Sequence, residues 1–305
     1  MKSIYKKIVK LSVRQKFKLK RQAILVCAGV CTVLFVLILS GRYASILNHK
    51  ENLHPQSRQQ EQNTLKEHPV IASAKKLVSS PLARQNLKIP ILMFHHIRDP
   101  KPINDKIQKN LSVSPIKFKI DLEWLRDHGY QTYSIDDLEG ILSGQMKVSK
   151  KPVILTFDDG YEDNYQIAFQ DLKSMGMVGN FYIITGAVGK PNYMTDAELQ
   201  EMSRGKMTLG SHTVSHPDLA KASLARQIKE LTDSRDFLDN LLQKNITSLC
   251  YPSGKYTPLT LMVAKGLGYK TGTTTKSGFT SASSDPLQLP RLRMTELTDL
   301  AHLLP

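Results

Sequence analysis

The chain has 305 residues, which is enough for one large domain or two small ones, and its formal net charge is +15. Nine of its Lys and Arg residues lie within positions 1–22, where there is no Asp or Glu. Without those nine, roughly +6 remains for the rest of the chain, which is ordinary. The charge therefore excludes a basic surface along the whole chain, and we predict no nucleic-acid partner.

An apolar segment follows the basic amino terminus, because the eighteen residues at 23–40 carry no charge. This is the lower end of the length that spans a bilayer as a helix. The basic flank 1–22 predicts a cytoplasmic tail and places the remainder outside, in a single-pass cell-membrane protein that contacts lipid through this signal anchor. A cleaved signal peptide and a buried soluble helix remain alternatives.

Residues 41–87 are mostly polar and predict a flexible extracytoplasmic stalk, because they cannot bury enough apolar surface to offset their ordering entropy. The catalytic domain is expected at 88–305. Cys27 and Cys31 lie in the apolar segment, and Cys250 is alone in everything that follows. The exported part therefore cannot form an internal disulfide, and we expect Cys250 to be a small buried residue.

Strand patterns and helix patterns alternate from residue 88 onward. Strands are predicted at 89–94, 153–157, 180–184, 208–212, 248–251, 269–274 and 287–294, and helices at 118–128, 163–175, 195–202, 224–242, 259–267 and 296–304. Such alternation predicts a parallel sheet, here a distorted (β/α) barrel of about seven strands preceded by one transmembrane helix. Active groups of such barrels lie at the carboxyl ends of the strands, where Asp158, Asp159, His212 and Tyr251 fall.

Two short motifs at these strand ends carry metal-binding side chains. Asp158 and Asp159 end an apolar strand and precede Gly160, while His212 and His216 have the spacing that places two imidazoles on one face of a helical turn. Each pair alone could be structural, as a helix cap or a chance pair of histidines. Together they supply two His and one Asp for a metal, with one carboxylate left as a base.

These motifs carry a family resemblance. TFDDG at 156–160, SHTVSH at 211–216 and YPSG at 251–254 resemble the polysaccharide deacetylases of carbohydrate esterase family 4, the NodB-homology domain. The resemblance extends over residues 88–305 and is tightest at 151–256. It implies a hydrolase that removes acetyl groups from a glycan.

The resemblance also implies a role for each motif residue. Asp158 is then the general base, and Asp159, His212 and His216 are the ligands of a divalent metal, with zinc expected and cobalt or nickel as alternatives. The third motif implies a backbone N–H that stabilises the oxyanion, and the matching position here is Ser253.

The chain departs from the family pattern at two points. The third motif of the family opens with an Arg that pairs with the catalytic Asp, and Cys250 stands there. We expect Arg291 or Arg293, on the late strand, to make that ion pair. A solvent-exposed arginine is the alternative for each.

The identity of the general acid is the second point. The strand ending in His95 and His96 resembles the subfamily of poly-N-acetylglucosamine deacetylases that act on biofilm exopolysaccharide. Strand alternation lets only one of the two histidines face the active site, and we select His95. His96 remains an alternative, as does His302, which the family's last motif matches by letters. Three polar side chains are candidates for sugar contacts: Tyr161, Asn164 and Tyr251.

The resulting expectation is a membrane-anchored, extracytoplasmic, metal-dependent N-deacetylase. Its expected partner is an N-acetylated glycan polymer, either poly-N-acetylglucosamine or peptidoglycan, and we expect a monomer. Two other classes remain open, the first of them because of the missing Arg and the uncertain acid. One is a catalytically degenerate glycan-binding module, and the other is an amidohydrolase or esterase that acts on a small acylated substrate.

Overall fold

A computed structural model describes residues 87–100, 110–148 and 151–305. The predicted cytoplasmic tail, the membrane segment 23–40 and nearly all of the stalk lie outside these residues. Within the described ranges, no helix combines the length and the apolar character that crossing a bilayer requires.

The strands of the described part form one large parallel sheet and one small parallel pair. They are β1 (Ile91–Phe94), β2 (His96–Ile97), β3 (Ser112–Val113), β4 (Tyr130–Thr132), β5 (Lys151–Phe157), β6 (Asn180–Ile183), β7 (Thr208–Ser211), β8 (Ser248–Cys250), β9 (Thr271–Thr273) and β10 (Leu292–Arg293). The large sheet has the order β10-β1-β5-β6-β7-β8-β9, and β4 pairs with the beginning of β5. This confirms the expected α/β fold with about seven parallel strands.

Six α-helices lie between strands of the described part: α1 (Pro115–Asp127), α2 (Leu138–Ser143), α3 (Gln170–Ser174), α4 (Asp196–Arg204), α5 (Leu224–Leu242) and α6 (Pro258–Gly266). A seventh, α7 (Leu300–Leu303), follows the last strand. Side-chain caps mark the amino termini of several of these helices. The predicted capping box is present in α4, where Thr195 and Glu198 each accept a hydrogen bond from the other's backbone amide. Ser223 caps α5, whose bounds equal the prediction.

The main core lies between the sheet and the helices and contains a row of aromatic rings. The rings of Phe94 and Phe157 stack at 5.2 Å, and those of Phe157 and Phe181 stack at 4.5 Å. Phe118 of α1 packs edge-on against Phe94 at 5.4 Å. These residues are almost fully buried. Because they come from adjacent strands, they fix the strand ends that carry the polar residues described below.

The structure corrects the sequence prediction mainly in the short elements. The predictions omitted β4 and α2, whose three and six residues are too short to show a period. The strand expected at 287–294 is only β10, with an isolated parallel bridge between Thr273 and Leu289 ahead of it. Pro290 lies between this bridge and β10 and has no N–H to donate.

The last predicted helix is also shorter than expected. It was predicted at 296–304 with Thr295 as its cap, but α7 begins only at Leu300. Thr295 forms a tight turn instead, because the Thr298 amide donates to its carbonyl at 3.0 Å. Asp299 is the actual cap, and its carboxylate accepts from the Ala301 amide at 2.9 Å.

Candidate active site

The carboxyl ends of neighbouring parallel strands bring the candidate residues together. His95 follows β1, the two adjacent aspartates follow β5, and His212 follows β7. Cys250 is the last residue of β8. Since β1, β5, β6, β7 and β8 are consecutive in the sheet, these positions share one edge. The edge is the expected location of an active site in a parallel α/β fold.

Three of the predicted residues form a cluster with metal-ligand chemistry. Ligand atoms of Asp159, His212 and His216 all lie within 4.8 Å of one another. Asp159 Oδ1 is 3.3 Å from His212 Nε2 and 3.7 Å from His216 Nε2. Nδ1 of His212 donates to the Cys250 carbonyl at 2.7 Å, which directs Nε2 toward Asp159. One carboxylate and two imidazoles, one of them fixed in this way, fit a divalent metal with open coordination positions.

Several residues at this cluster have a left-handed backbone conformation. Four non-glycine residues at the site have positive φ: Asp159 at 77°, Thr213 at 66°, His216 at 55° and Ser253 at 52°. Such conformations cost about 1–3 kcal/mol each and concentrate at functional sites. They also correct one prediction: His212 and His216 do not share a helical turn. Strand β7 ends at Ser211, and the backbone reverses its handedness at Thr213 and His216.

Asp158 is held by a buried arginine. Nη1 and Nη2 of Arg291 each donate to one carboxylate oxygen of Asp158 at 2.7 Å. The other N–H groups of Arg291 reach Thr156 Oγ1, Cys250 Sγ and the Thr274 carbonyl, so every donor is used. Arg291 thus makes the ion pair that the sequence assigned to Arg291 or Arg293. The side chain of Arg293 is exposed, and among the described residues it makes no hydrogen bond or ion pair with Asp158.

The ion pair sets the charge of Asp158. Burial opposes ionisation, but the Arg291 guanidinium outweighs it and holds the pKa of Asp158 below its ordinary range. Asp158 is therefore a carboxylate at neutral pH. Its two oxygens are also fixed in direction by the fork of the guanidinium.

His95 is the only predicted acid that the described structure places beside Asp158. Its Nε2 is 3.8 Å from Asp158 Oδ2. Burial lowers the pKa of His95 to about 4, against the attraction of the two aspartates, so the imidazole is neutral at pH 7. His96 instead bonds Asp163 at 2.7 Å, and His302 is exposed and bonds Asp299 at 2.6 Å.

The predicted sugar contacts divide into one accessible tyrosine and two buried residues. Tyr161 is partly exposed, and its ring stacks on His96 at 3.6 Å. Burial and the nearby Asp159 raise the pKa of Tyr161, so its hydroxyl stays protonated and can donate. Tyr251 and Asn164 are fully buried, which excludes direct contact of either side chain with a glycan. Tyr251 instead packs against Tyr256 in a satellite core.

Ser253 lies at the turn that follows β8. Its left-handed φ interrupts the short helical turn at Pro252–Gly254. The amides of Gly254 and Lys255 close this turn by donating to the Tyr251 and Pro252 carbonyls. The Ser253 amide has no hydrogen-bond acceptor among the described residues, so that N–H is available to a ligand.

Sequence reasoning missed three residues that the structure places at or behind the site. Tyr193 packs against Tyr161 at 5.2 Å and widens the aromatic surface beside Asp159. Thr156 positions Arg291, and Glu230 bonds the loop that carries His216. Only Thr156 had a sequence signal, as part of TFDDG. The others lie in unremarkable loop and helix sequence.

Comparison with known proteins agrees with this geometry. A family model described as polysaccharide deacetylase matches residues 145–272. YxkH of Bacillus subtilis, which bears the same family name, is 34% identical over 208 residues, covering 68% of this chain and 72% of that protein. The poly-beta-1,6-N-acetyl-D-glucosamine N-deacetylase of Staphylococcus aureus is 27% identical over 227 residues, covering 67% and 78%.

A solved structure supports the same assignment. The Streptococcus pyogenes deacetylase PplD, in complex with acetate, superimposes with a TM-score of 0.67 and is 38% identical, over 71% of this chain and 96% of that one. The fold and the carboxylate–imidazole site define an α/β hydrolytic enzyme. The chain belongs to the polysaccharide deacetylase family, that is, carbohydrate esterase family 4 with its NodB-homology domain.

Proposed function

We propose that this protein hydrolyses N-acetyl groups of an N-acetylglucosamine-containing cell-envelope polysaccharide in a reaction that depends on a divalent metal. One observation carries the proposal. Ligand atoms of Asp159, His212 and His216 converge within 4.8 Å. Asp158 lies within the same distance of His212 and Cys250, but both of its oxygens are held by Arg291. The arrangement therefore separates a metal-binding carboxylate from a carboxylate that can move a proton.

Asp159, His212 and His216 would hold the metal. Zinc suits this donor set best, and cobalt or nickel would also accept it. When bound, such a cation supplies a Lewis acid that acidifies a water and polarises an amide carbonyl.

Asp158 is the proposed general base. Its low pKa makes it a weak base, but it is always ionised and its orientation is fixed, so that it accepts the proton of the attacking water without rearranging. Arg291 stays paired with the carboxylate. The guanidinium thus acts by positioning Asp158, and it does not touch the substrate.

His95 is the proposed acid for the leaving amine. A neutral imidazole can donate there only after it has received a proton, and Asp158 is the neighbouring group that collects one. The 3.8 Å between His95 Nε2 and Asp158 Oδ2 is too long for a direct hydrogen bond, so we place one water between them. The proton then moves from the attacking water to Asp158, to His95 and to the amine nitrogen.

Two further groups are proposed to contact the substrate. The free N–H of Ser253 would donate to the oxygen that becomes negative in the tetrahedral state. The Tyr161 hydroxyl, beside Asp159, would donate to a sugar or acetamide oxygen. Tyr161 and Tyr193 together present ring surface, on which the apolar face of a pyranose can pack.

The substrate class follows from the relatives. The Staphylococcus aureus relative is a poly-beta-1,6-N-acetyl-D-glucosamine deacetylase, which favours that polymer over peptidoglycan. The alternative of a degenerate binding module rested on the missing Arg and on the uncertain acid. Arg291 supplies the ion pair of that Arg, and His95 lies beside Asp158. A small acylated substrate has no specific observation in its favour.

Location and domain organisation belong to the same proposal. We propose a basic cytoplasmic tail at 1–22, a signal anchor at 23–40, a stalk at 41–87 and a monomeric catalytic domain at 88–305 outside the membrane. Protease added to intact cells should then release a fragment cut within the stalk. A domain that stays protected in intact, wall-stripped cells would contradict this location.

Acetate release tests the function directly. The full chain, loaded with zinc, cobalt or nickel in turn, should release acetate from poly-N-acetylglucosamine faster than from peptidoglycan or from small acetylated sugars. His212→Ala and His216→Ala should lose both acetate release and the metal measured by elemental analysis. Full metal content in both variants would refute the ligand assignment, and binding of polymer without acetate release would favour a binding module.

A further inference from the structure

The loop that carries His216 is bonded to a carboxylate of the following helix. Glu230 of α5 accepts hydrogen bonds from the Val214 amide at 3.0 Å and from the Ser215 amide at 2.9 Å, both at Oε2. Its other oxygen accepts from the Ser215 hydroxyl. The Glu230 side chain is buried, so these bonds are shielded from water.

This loop has a conformation that needs such support. Thr213 and His216 both have left-handed backbone, with φ of 66° and 55°, at the two ends of a four-residue segment. Strain of this kind persists only where the surroundings over-determine it. A neighbouring turn bonds the loop from another side, since the Thr185 and Gly186 amides donate to the Thr213 and Val214 carbonyls at 3.1 and 2.9 Å.

His216 depends on its backbone more than His212 does. The His212 ring is 2% exposed and is fixed by its bond to the Cys250 carbonyl. The His216 side chain is 34% exposed, and its ring contacts only Asp159 and the edge of the His212 ring, at 4.9 Å, among the polar and ring contacts of the described residues. Packing therefore constrains the His216 ring less than the His212 ring, and the loop backbone contributes more to its position.

We propose that Glu230 is a positioning residue for His216: it holds the Val214 and Ser215 amides so that the imidazole faces Asp159 and His212 and can bind a cation. This inference rests on the metal site of the proposed function and adds a residue from outside the family motifs. It assigns Glu230 no contact with substrate.

Metal affinity tests the proposal without any assay of activity. Zinc binding is measured by calorimetric titration of the metal-free full chain, for wild type, Glu230→Ala, Glu230→Gln and the reference variant His216→Ala. Loss of an outer partner of a metal ligand typically weakens affinity about 10- to 100-fold, which is expected for Glu230→Ala. The glutamine retains an oxygen for the two amides, so Glu230→Gln should stay within a few-fold of wild type.

Asp233→Asn is the matched control. Asp233 is a carboxylate on the same helix, and it forms an ion pair with the solvent-exposed Lys229. This variant should bind zinc as the wild type does. All titrations are done at a temperature where circular dichroism shows each variant to be folded, so that a loss of stability alone cannot change the measured affinity.

The outcomes separate this inference from the function on which it rests. If His216→Ala weakens zinc binding while folded Glu230→Ala keeps the wild-type affinity, Glu230 is not a positioning residue and the metal site stands. If His216→Ala binds zinc as the wild type does, the metal assignment itself fails. Equal losses in Glu230→Ala and Asp233→Asn would also overturn the specific role of Glu230.

Discussion

Arg291 and Asp158 are joined by two parallel hydrogen bonds of 2.7 Å each, although they lie 133 positions apart in the chain. Both side chains are almost completely shielded from water. The pair gives Asp158 a fixed charge and a fixed direction. Its geometry depends on the planar fork of the guanidinium, which an ammonium group cannot reproduce.

We expect Arg291→Lys to lower kcat by about 10- to 100-fold while zinc content stays unchanged, because the lysine keeps the charge but loses the two-point orientation of Asp158. Arg291→Met should instead destabilise the fold by about 3–5 kcal/mol, since it leaves Asp158 buried without a partner. Steady-state kinetics and urea unfolding measure the two effects. The exposed Arg293 is the control, and Arg293→Lys should change neither; a wild-type kcat in Arg291→Lys would show that the orientation of Asp158 is unimportant.

Asp158 and Asp159 are chemically identical neighbours with different predicted roles. Asp158→Asn should retain the metal and lower kcat by about 100-fold or more, the usual contribution of a positioned base. Asp159→Asn should weaken the binding of zinc, because it removes the one anionic ligand. Elemental analysis and kinetics of both variants separate the roles. A near-normal kcat in Asp158→Asn would transfer the role of base to another group, with His95 the nearest candidate.

The residues of this site that could be predicted from the sequence are those in short local motifs. Asp158, Asp159 and His212 could be selected because they lie at the ends of predicted strands, where parallel strands converge, and His216 because of its spacing from His212. The choice between Arg291 and Arg293 could not be made from the sequence. In a regular strand two residues that lie two positions apart face the same side, so alternation does not distinguish Arg291 from Arg293. In the structure β10 begins only at Leu292, and Arg291 precedes it.

His95 and His302 give opposite predictions. His95→Gln should lower kcat by about 100-fold with little change in KM, because the amide cannot pass a proton to the leaving amine. His302→Gln should leave kcat and KM unchanged, since the His302 side chain is 89% exposed and bonds only Asp299 among the described residues. Kinetics at saturating polymer decide between them. A large loss of kcat in the His302 variant alone would reassign the acid.

Tyr161 and Tyr251 are expected to respond differently to removal of their hydroxyl groups. Tyr161→Phe should lower kcat/KM about tenfold, because it removes a donor beside Asp159. Tyr251→Phe should leave kinetics unchanged and shift stability by no more than about 1 kcal/mol, since its buried hydroxyl has no hydrogen-bond partner in the described structure. Kinetics and thermal unfolding of both variants check this. An effect of Tyr251→Phe on KM would contradict the exclusion of Tyr251 from the substrate site.

Tyr251 and the His212–His216 spacing show where sequence patterns fail. Tyr251 was assigned to the sugar site because it follows a strand, but adjacent residues at a strand end face opposite sides, and its ring packs into a satellite core. The four-residue spacing of the two histidines suggested a helix. In the structure these residues form a loop whose Val214 amide donates a hydrogen bond to Glu230. Glu230 lies fourteen positions beyond His216, and no local sequence pattern predicts such a contact.

The position of Arg291 near the carboxyl end of the chain has a consequence for biosynthesis. Asp159, His212 and His216 all precede it by at least 75 positions, so a nascent chain contains the whole ligand set well before it contains Arg291. A chain that has not reached this arginine also lacks β10, the strand that pairs with β1. The guanidinium can hold Asp158 in direction only after the last strand has joined the sheet, so the orientation of this carboxylate is fixed late in folding.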